Sequence, residues 1–78
     1  MELIKNTESL QFAISQIKSV IGDIDLEITP EFTIRSDSRK VELWFETDPD
    51  EGFTWHSING DGIRSSGSPR RSFVMAFF

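Results

Sequence analysis

The sequence predicts an α+β fold in which one amphipathic N-terminal helix packs on an antiparallel sheet of four or five strands. Apolar residues first recur at three- and four-residue spacing, which is typical of a helix with one buried face. They then alternate with polar residues over several shorter segments, which is typical of strands. The chain has 78 residues and no cysteine, so we expect one small domain over residues 1–78 without disulfide bonds.

The helix is predicted between Thr7 and Gly22. Thr7 is a good N-cap residue, and Glu8 suits the positive end of the helix dipole. The apolar stripe consists of Leu10, Ala13, Ile14, Ile17, Val20 and Ile21. Phe12 lies outside this stripe, so it packs on a terminus, is an ordinary exposed apolar residue, or marks a contact surface.

A strand is predicted over residues 23–29, where Ile24, Leu26 and Ile28 alternate with acidic residues. Pro30 interrupts it as a bend, a bulge or an edge, because proline cannot donate a hydrogen bond to a sheet. Phe32 and Ile34 then resume the alternation. Residues 36–39 are predicted to turn the chain into the next strand.

The strongest pattern is a hairpin over residues 40–59, with alternating strands on either side of the turn 48–52. If the turn pairs Asp48 with Gly52, four further cross-strand pairs follow: Phe45 with Trp55, Thr47 with Phe53, Trp44 with His56 and Glu42 with Ile58. The first two pairs face the helix and the last two face away from it. A loop one residue longer would reverse the faces of the returning strand.

The remainder of the chain carries a turn at Asn59–Gly62, and then either a short strand at residues 63–66 or one loop up to residue 72. Residues 73–78 are apolar at every position, which predicts a strand in the sheet interior or one covered by another chain, as in a homodimer. The predicted core consists of Leu10, Ile14, Ile17, Ile21, Leu26, Ile28, Phe32, Ile34, Leu43, Phe45, Trp55 and Phe73.

The net charge of −5 is unevenly spread. Through Glu51 there are 12 acidic and 5 basic residues, whereas only 1 acidic and 3 basic residues follow. An acidic protein is poorly suited to nonspecific binding of duplex nucleic acid, but it suits a basic partner protein. The sequence has no apolar segment of the roughly 20 residues that cross a bilayer and no signal-peptide pattern, so we expect a cytoplasmic protein.

Catalytic, cofactor and metal sites are not predicted. His56 is the only histidine, the residue type that most often serves as a general base, and its neighbour Ser57 points to the opposite face of the strand. The acidic turn at Asp48, Asp50 and Glu51 lacks the later glutamate of a calcium loop, and a hairpin turn explains it. We therefore expect a protein that is not an enzyme.

Two surfaces are candidates for binding. The outer sheet face is predicted to place Trp44, His56 and Ile58 inside an acidic rim made of Asp25, Glu27, Glu42 and Glu46. An apolar centre with an acidic rim favours an inhibitor or adaptor that binds a basic protein. Such a protein could act by mimicking nucleic acid. The alternative is binding of nucleic acid or phosphate through Arg64, Arg70 and Arg71. For each surface, an ordinary solvated exterior is the competing interpretation.

Overall fold

A computed structural model of the protein describes residues 2–78. Helix α1 is followed by five strands and a short 3₁₀ helix: α1 (Thr7–Ile21), β1 (Glu27–Ile28), β2 (Ile34–Ser36), β3 (Val41–Asp48), β4 (Gly52–Asn59), β5 (Arg64–Gly67) and the 3₁₀ helix (Phe73–Phe77). The strands form one sheet in the order β1-β2-β3-β4-β5, and all neighbours are antiparallel. The predicted α+β fold with one helix on an antiparallel sheet is confirmed.

The N-cap residue of helix α1 is Asn6, one residue before the predicted Thr7. Asn6 has an extended backbone, and its side-chain oxygen accepts hydrogen bonds from the N–H groups of Glu8 (2.9 Å) and Ser9 (3.2 Å). Thr7 is the first helical residue, so the prediction of Thr7 as N-cap is wrong. The Asn6 side chain thus pairs two of the N–H groups that every helix start leaves without a partner inside the helix.

The buried face of α1 follows the predicted stripe through its first three turns. Leu10, Ala13, Ile14 and Ile17 are buried, whereas Val20 in the last turn is 61% exposed. Gly22 terminates the helix as predicted, and its N–H donates to the carbonyl of Lys18 (2.9 Å).

The strand predicted over residues 23–29 is confined to Glu27–Ile28. Pro30 starts a hairpin turn between β1 and β2, where proline's fixed φ is favoured. The N–H of Phe32 donates to the carbonyl of Thr29 (3.0 Å), and Phe32 adopts a left-handed backbone with φ of 63°. Phe32 therefore belongs to the turn and does not resume a strand.

The central hairpin has the predicted register, including Asp48 opposite Gly52 and all four other pairs. The carboxylate of Asp48 holds the turn: it accepts from the N–H groups of Asp50 (2.8 Å) and Glu51 (3.1 Å) and from the hydroxyl of Thr54 (3.1 Å). The two backbone hydrogen bonds, followed by the one from Thr54, lower the pKa of Asp48.

Residues 2–4 complete the edge of β3 that the short β2 leaves uncovered. Leu3 forms an isolated antiparallel bridge with Glu46. The N–H of Ile4 donates to the carbonyl of Phe45 (2.8 Å), and that of Thr47 donates to the carbonyl of Glu2 (2.7 Å). Residues 2–4 therefore pair with this edge of the sheet.

The turn after β4 uses Asn59, whose side chain accepts from the N–H groups of Asp61 (2.9 Å) and Ile63 (3.0 Å). Gly62 has φ of 80°, a conformation that glycine adopts without the steric cost paid by other residues. The chain then returns as β5, so the short-strand alternative is correct, shifted by one residue.

The strand predicted at residues 73–78 is wrong, because Phe73–Phe77 forms a 3₁₀ helix. Ser72 caps it by accepting from the N–H of Val74 (3.3 Å). Val74 and Phe77, three residues apart, are both buried, while Met75 and Phe78 are exposed, which is the spacing of one face of a 3₁₀ helix. The homodimer was predicted because a strand at residues 73–78 would need a second chain to cover it. No strand forms there, so that reason no longer applies, and the homodimer stays an untested prediction.

The core lies between α1, the inner sheet face and the 3₁₀ helix. Seven predicted core residues are buried: Leu10, Ile14, Ile17, Ile34, Leu43, Phe45 and Trp55. Ile21, Leu26, Ile28, Phe32 and Phe73 are half-buried at the core margin, and Ala13, Ile24, Val41, Val74 and Phe77 complete the buried set. Within residues 2–78, α1 is too short and too polar to cross a bilayer, and no other helix reaches that length.

Candidate protein-binding face of the sheet

The outer face is the side of the sheet that points away from α1. On β3, Val41, Leu43 and Phe45 are buried toward the helix, so the residues between them point outward. Cross-strand partners share a face, which extends the assignment across the sheet. The outer face therefore comprises Glu27, Arg35, Glu42, Trp44, Glu46, Asp48, Thr54, His56, Ile58, Arg64 and Ser66.

Trp44 and His56 form the centre of the outer face. They are paired across β3 and β4, and their rings stack with centroids 5.7 Å apart and planes 18° from parallel. The His56 Nε2 atom is buried and lies 2.7 Å from a carboxylate oxygen of Glu46, close enough for an ion pair but without the alignment of a hydrogen bond. The stack gives the face a flat aromatic centre, and both side chains are half-buried.

One end of the outer face has balanced charge. The register aligns Glu27, Arg35, Glu42, Ile58 and Arg64 in a row across all five strands. Arg35 forms ion pairs with Glu27 and with Asp37 (3.2 Å). The hydrogen bond that the Arg35 guanidinium donates to Glu27, followed by the negative charge of Glu27, raises the pKa of Arg35. The rim predicted to be acidic is therefore largely neutralised at this end.

Glu42 is held in place beside this row. The hydroxyl of Thr33 donates to its carboxylate (3.1 Å), and the Thr33 hydroxyl is in turn joined to that of Thr29 (2.7 Å). The carboxylate thus remains an acceptor on the face, in a fixed position rather than on a freely rotating side chain.

The other end of the outer face is acidic. Glu46 and Asp48 point outward there, and Asp50 and Glu51 follow in the adjoining turn. Glu2 is next to it, because its backbone pairs with Thr47. The acidic end and the neutral row lie on opposite sides of the Trp44–His56 stack, so the two ends of the outer face differ in charge.

Asp25 does not lie on the outer face, and its assignment to the acidic rim is wrong. It precedes β1, and its carboxylate accepts hydrogen bonds from the hydroxyl of Ser36 (3.1 Å), the N–H of Ser38 (3.0 Å) and the Ser38 hydroxyl. These bonds, chiefly those from Ser38, lower the pKa of Asp25 to about 2. Asp25 therefore stabilises the β2–β3 turn through Ser38, and it supplies the hydrogen-bond partner that the buried Ser36 hydroxyl needs.

Ser66 is an outer-face residue that the sequence patterns missed. It lies opposite His56, and the two, with Trp44 and Arg64, line a shallow cavity of about 270 Å³. Ser57 is buried on the inner face, as its alternation predicts. Within residues 2–78 the Nε2 atom of His56 has no hydrogen-bond partner, so it makes no contact with the Ser66 hydroxyl of the kind by which a base activates a nucleophile. The register of β5, which would have revealed Ser66, depends on the length of the preceding turn.

The three arginines of the alternative site are on different sides of the molecule. Arg64 is on the outer face. The guanidinium of Arg71 lies 5.8 Å from the centre of the Trp55 ring, which faces inward, and the carbonyl of Arg71 accepts a hydrogen bond from the Trp55 indole (2.8 Å). Arg70 lies in the turn between β5 and the 3₁₀ helix. These residues do not form one anion-binding cluster.

Comparisons of the chain with protein-family models, with curated proteins and with solved structures find no match. Inference about function therefore begins from the geometry of the outer face.

Proposed function

We propose that the protein is a small acidic, non-enzymatic protein-binding module, an inhibitor or adaptor, whose outer sheet face docks a basic partner. The observation that supports this most is the position of Trp44: it is central on the face, stacked on His56 and supported by the two longest strands of the sheet. A preformed tryptophan surrounded by polar groups is typical of an interface hot spot, because little side-chain entropy is lost when it is covered.

Charge favours a basic partner and gives it an orientation. The protein has a net charge of −5, and its outer face is acidic on the side of Glu46 and Asp48. An arginine or lysine of the partner can lay its apolar stem on Trp44 and place its cation beside Glu46. At the other end, the pair formed by Arg35 and Glu27 offers a neutral surface, so a partner with basic residues at one end only would bind in one orientation.

Two related proposals fit less well. Mimicry of nucleic acid requires a row of free carboxylates, but Arg35 lies between Glu27 and Glu42. Phosphate binding requires converging arginines, but Arg64 and Arg71 are on opposite faces of the sheet. A cytoplasmic location remains part of the proposal, since a chain without cysteine needs no oxidising compartment to fold.

The proposal is tested by capturing binding proteins from a nuclease-treated lysate of the native host. Immobilised wild type is compared with Trp44→Ala, and Val20→Ala serves as a matched control, because Val20 is exposed on α1 and away from the outer face. We expect one basic protein to be retained by wild type and by Val20→Ala, to be lost with Trp44→Ala, and to be released as the salt concentration rises.

Two results would contradict this function. Retention of the same protein by Trp44→Ala would show that the outer face is not the binding surface. Retention of nucleic acid from an untreated lysate, abolished by Arg64→Ala, would support the alternative function instead.

A further inference from the structure

A groove lies on the other side of the sheet, where α1 passes the ends of β3 and β4 near the 48–52 turn. Its volume is about 580 Å³, within the range of roughly 300–1,000 Å³ that is usual for small-ligand sites. The inner face of the sheet and residue Phe73 form one wall, and α1 forms the other. This groove shares no residue with the outer face, so its role is independent of the proposed function.

The wall on the sheet side is aromatic. The ring of Phe45 meets those of Phe53 and Phe73 nearly at right angles, with interplanar angles of 81° and 88° and centroids 5.4 Å and 5.2 Å apart. Phe53 and Phe73 are half-buried, and both line the groove. A ligand in the groove would meet both edges and faces of phenyl rings.

The helical wall explains why Phe12 departs from the apolar stripe. Glu8, Phe12 and Gln16 follow at intervals of four residues and therefore lie above one another on α1, and all three line the groove. Phe12 is 66% exposed, so packing within the chain does not account for it. An occupant of the groove would cover it.

Charge selects the class of occupant. Glu8 is the only charged residue that lines the groove within residues 2–78, and the protein as a whole is acidic. The helix start offers no anion site, because the N–H groups of Glu8 and Ser9 already donate to Asn6. Phenyl faces attract organic cations as well as apolar groups.

We propose that this groove binds a small amphipathic cation, with an aromatic or aliphatic body seated among Phe12, Phe45, Phe53 and Phe73 and an ammonium group beside Glu8. This apolar body, whether aromatic or aliphatic, supplies most of the affinity by covering the exposed phenyl surface. The ammonium supplies selectivity over neutral and anionic molecules of the same shape.

The test uses three probes that each carry a phenyl ring at the end of a four-carbon chain and differ in the polar group at the other end: 4-phenylbutylamine, 4-phenylbutanol and 4-phenylbutyrate. Each is titrated into the isotopically labelled protein, and backbone amide shifts are followed by NMR. We expect the amine to bind most tightly and the carboxylate least, with amide shifts concentrated in residues 8–16, around Phe45 and Phe53, and in residues 70–73. Phe12→Ala should weaken all three probes by about tenfold, because it removes shared apolar contact.

Glu8→Gln should weaken the amine by about three- to fivefold and leave the alcohol unchanged. Glu31→Gln is the matched control, since Glu31 is an exposed acid in the β1–β2 turn and should leave the order of the probes as in wild type. Far-UV circular dichroism establishes that each variant is folded.

Three results would overturn the proposal. The first is an absence of saturable shifts at millimolar amine. The second is a carboxylate that binds as tightly as the amine, or an amine preference that survives Glu8→Gln. The third is a dependence of the groove shifts on protein concentration without any probe, which would assign the groove to a second copy of the chain.

Discussion

Replacing Gly67 with alanine should destabilise the fold, because Gly67 in β5 lies under the indole ring of Trp55 in β4. A methyl carbon at Gly67 would be 2.8 Å from the ring atoms Cε2, Cζ2 and Nε1, whereas non-bonded carbons prefer about 3.5–4.0 Å. Trp55 is only 1% exposed, and its indole N–H donates to the carbonyl of Arg71 (2.8 Å). The ring therefore cannot move aside without disturbing the core and losing that hydrogen bond.

The expected cost combines three effects. Overpacking a core costs about 1–3 kcal/mol, and loss of the indole hydrogen bond costs about 0.5–1.5 kcal/mol. The stiffer unfolded chain of the alanine variant returns about 0.4–1 kcal/mol. We expect a net loss of about 2 kcal/mol, which for a domain of this size lowers the melting temperature by about 10 °C.

The measurement is urea unfolding followed by tryptophan fluorescence, with the indole N–H resonance of Trp55 as a local probe. Ser66→Ala is the control, because Ser66 precedes Gly67 in the same strand but points outward and is exposed; its effect should stay within about 0.5 kcal/mol. If Gly67→Ala unfolds at the wild-type urea concentration with an unmoved indole resonance, the close packing of Trp55 on β5 is wrong.

Three further predictions concern stability. Phe45→Ala should cost about 3–5 kcal/mol as a core cavity, but Trp44→Ala only about 1–2 kcal/mol, because one side of its ring already faces solvent; equal costs in urea unfolding would contradict the assignment of the two faces. Phe77→Ala should likewise cost about 3–5 kcal/mol and Phe78→Ala less than about 0.5 kcal/mol in urea unfolding, whereas a strand covered on both faces would make both substitutions costly. Asp25 has a pKa lowered from 3.8 to about 2, so its stabilising effect is complete above about pH 4 and is lost as the pH falls to about 2. The difference in unfolding free energy between wild type and Asp25→Asn should therefore be constant above about pH 4 and should shrink as the pH falls below about 4. A difference that is undiminished at about pH 2 would refute the role of the carboxylate.

The central hairpin could be predicted because its determinants are local. Alternation of apolar and polar residues fixes which face is buried, and the turn residues between Asp48 and Gly52 fix the register. The stacking of Trp44 on His56 follows from that register alone. The centre of the proposed binding face could therefore be predicted from the sequence.

The segment at residues 73–78 could not be predicted, because a short apolar run does not distinguish a strand from a helix. Tertiary contacts decide it. The indole of Trp55 holds the carbonyl of Arg71, which brings the following residues onto the inner face of the sheet, and Ser72 caps the 3₁₀ helix there. A helical turn then buries Val74 and Phe77 together.

The rim of the outer face and the groove also depend on tertiary structure. The position of Arg35 between Glu27 and Glu42 requires the tight β1–β2 turn, in which Phe32 adopts a backbone conformation that is unfavourable for its residue type. The exposed position of Phe12 was evident from the helical pattern, but the phenyl rings opposite it come from three separate parts of the chain.

The proposed function is tested most directly by calorimetric titration of the captured basic partner into wild type and Trp44→Ala. We predict that Trp44→Ala, folded and only modestly destabilised, binds the partner at least about thirtyfold more weakly, which corresponds to roughly 2 kcal/mol. The control Val20→Ala should bind as wild type does. Equal affinity of wild type and Trp44→Ala for the partner would contradict the claim that the outer face is the working surface.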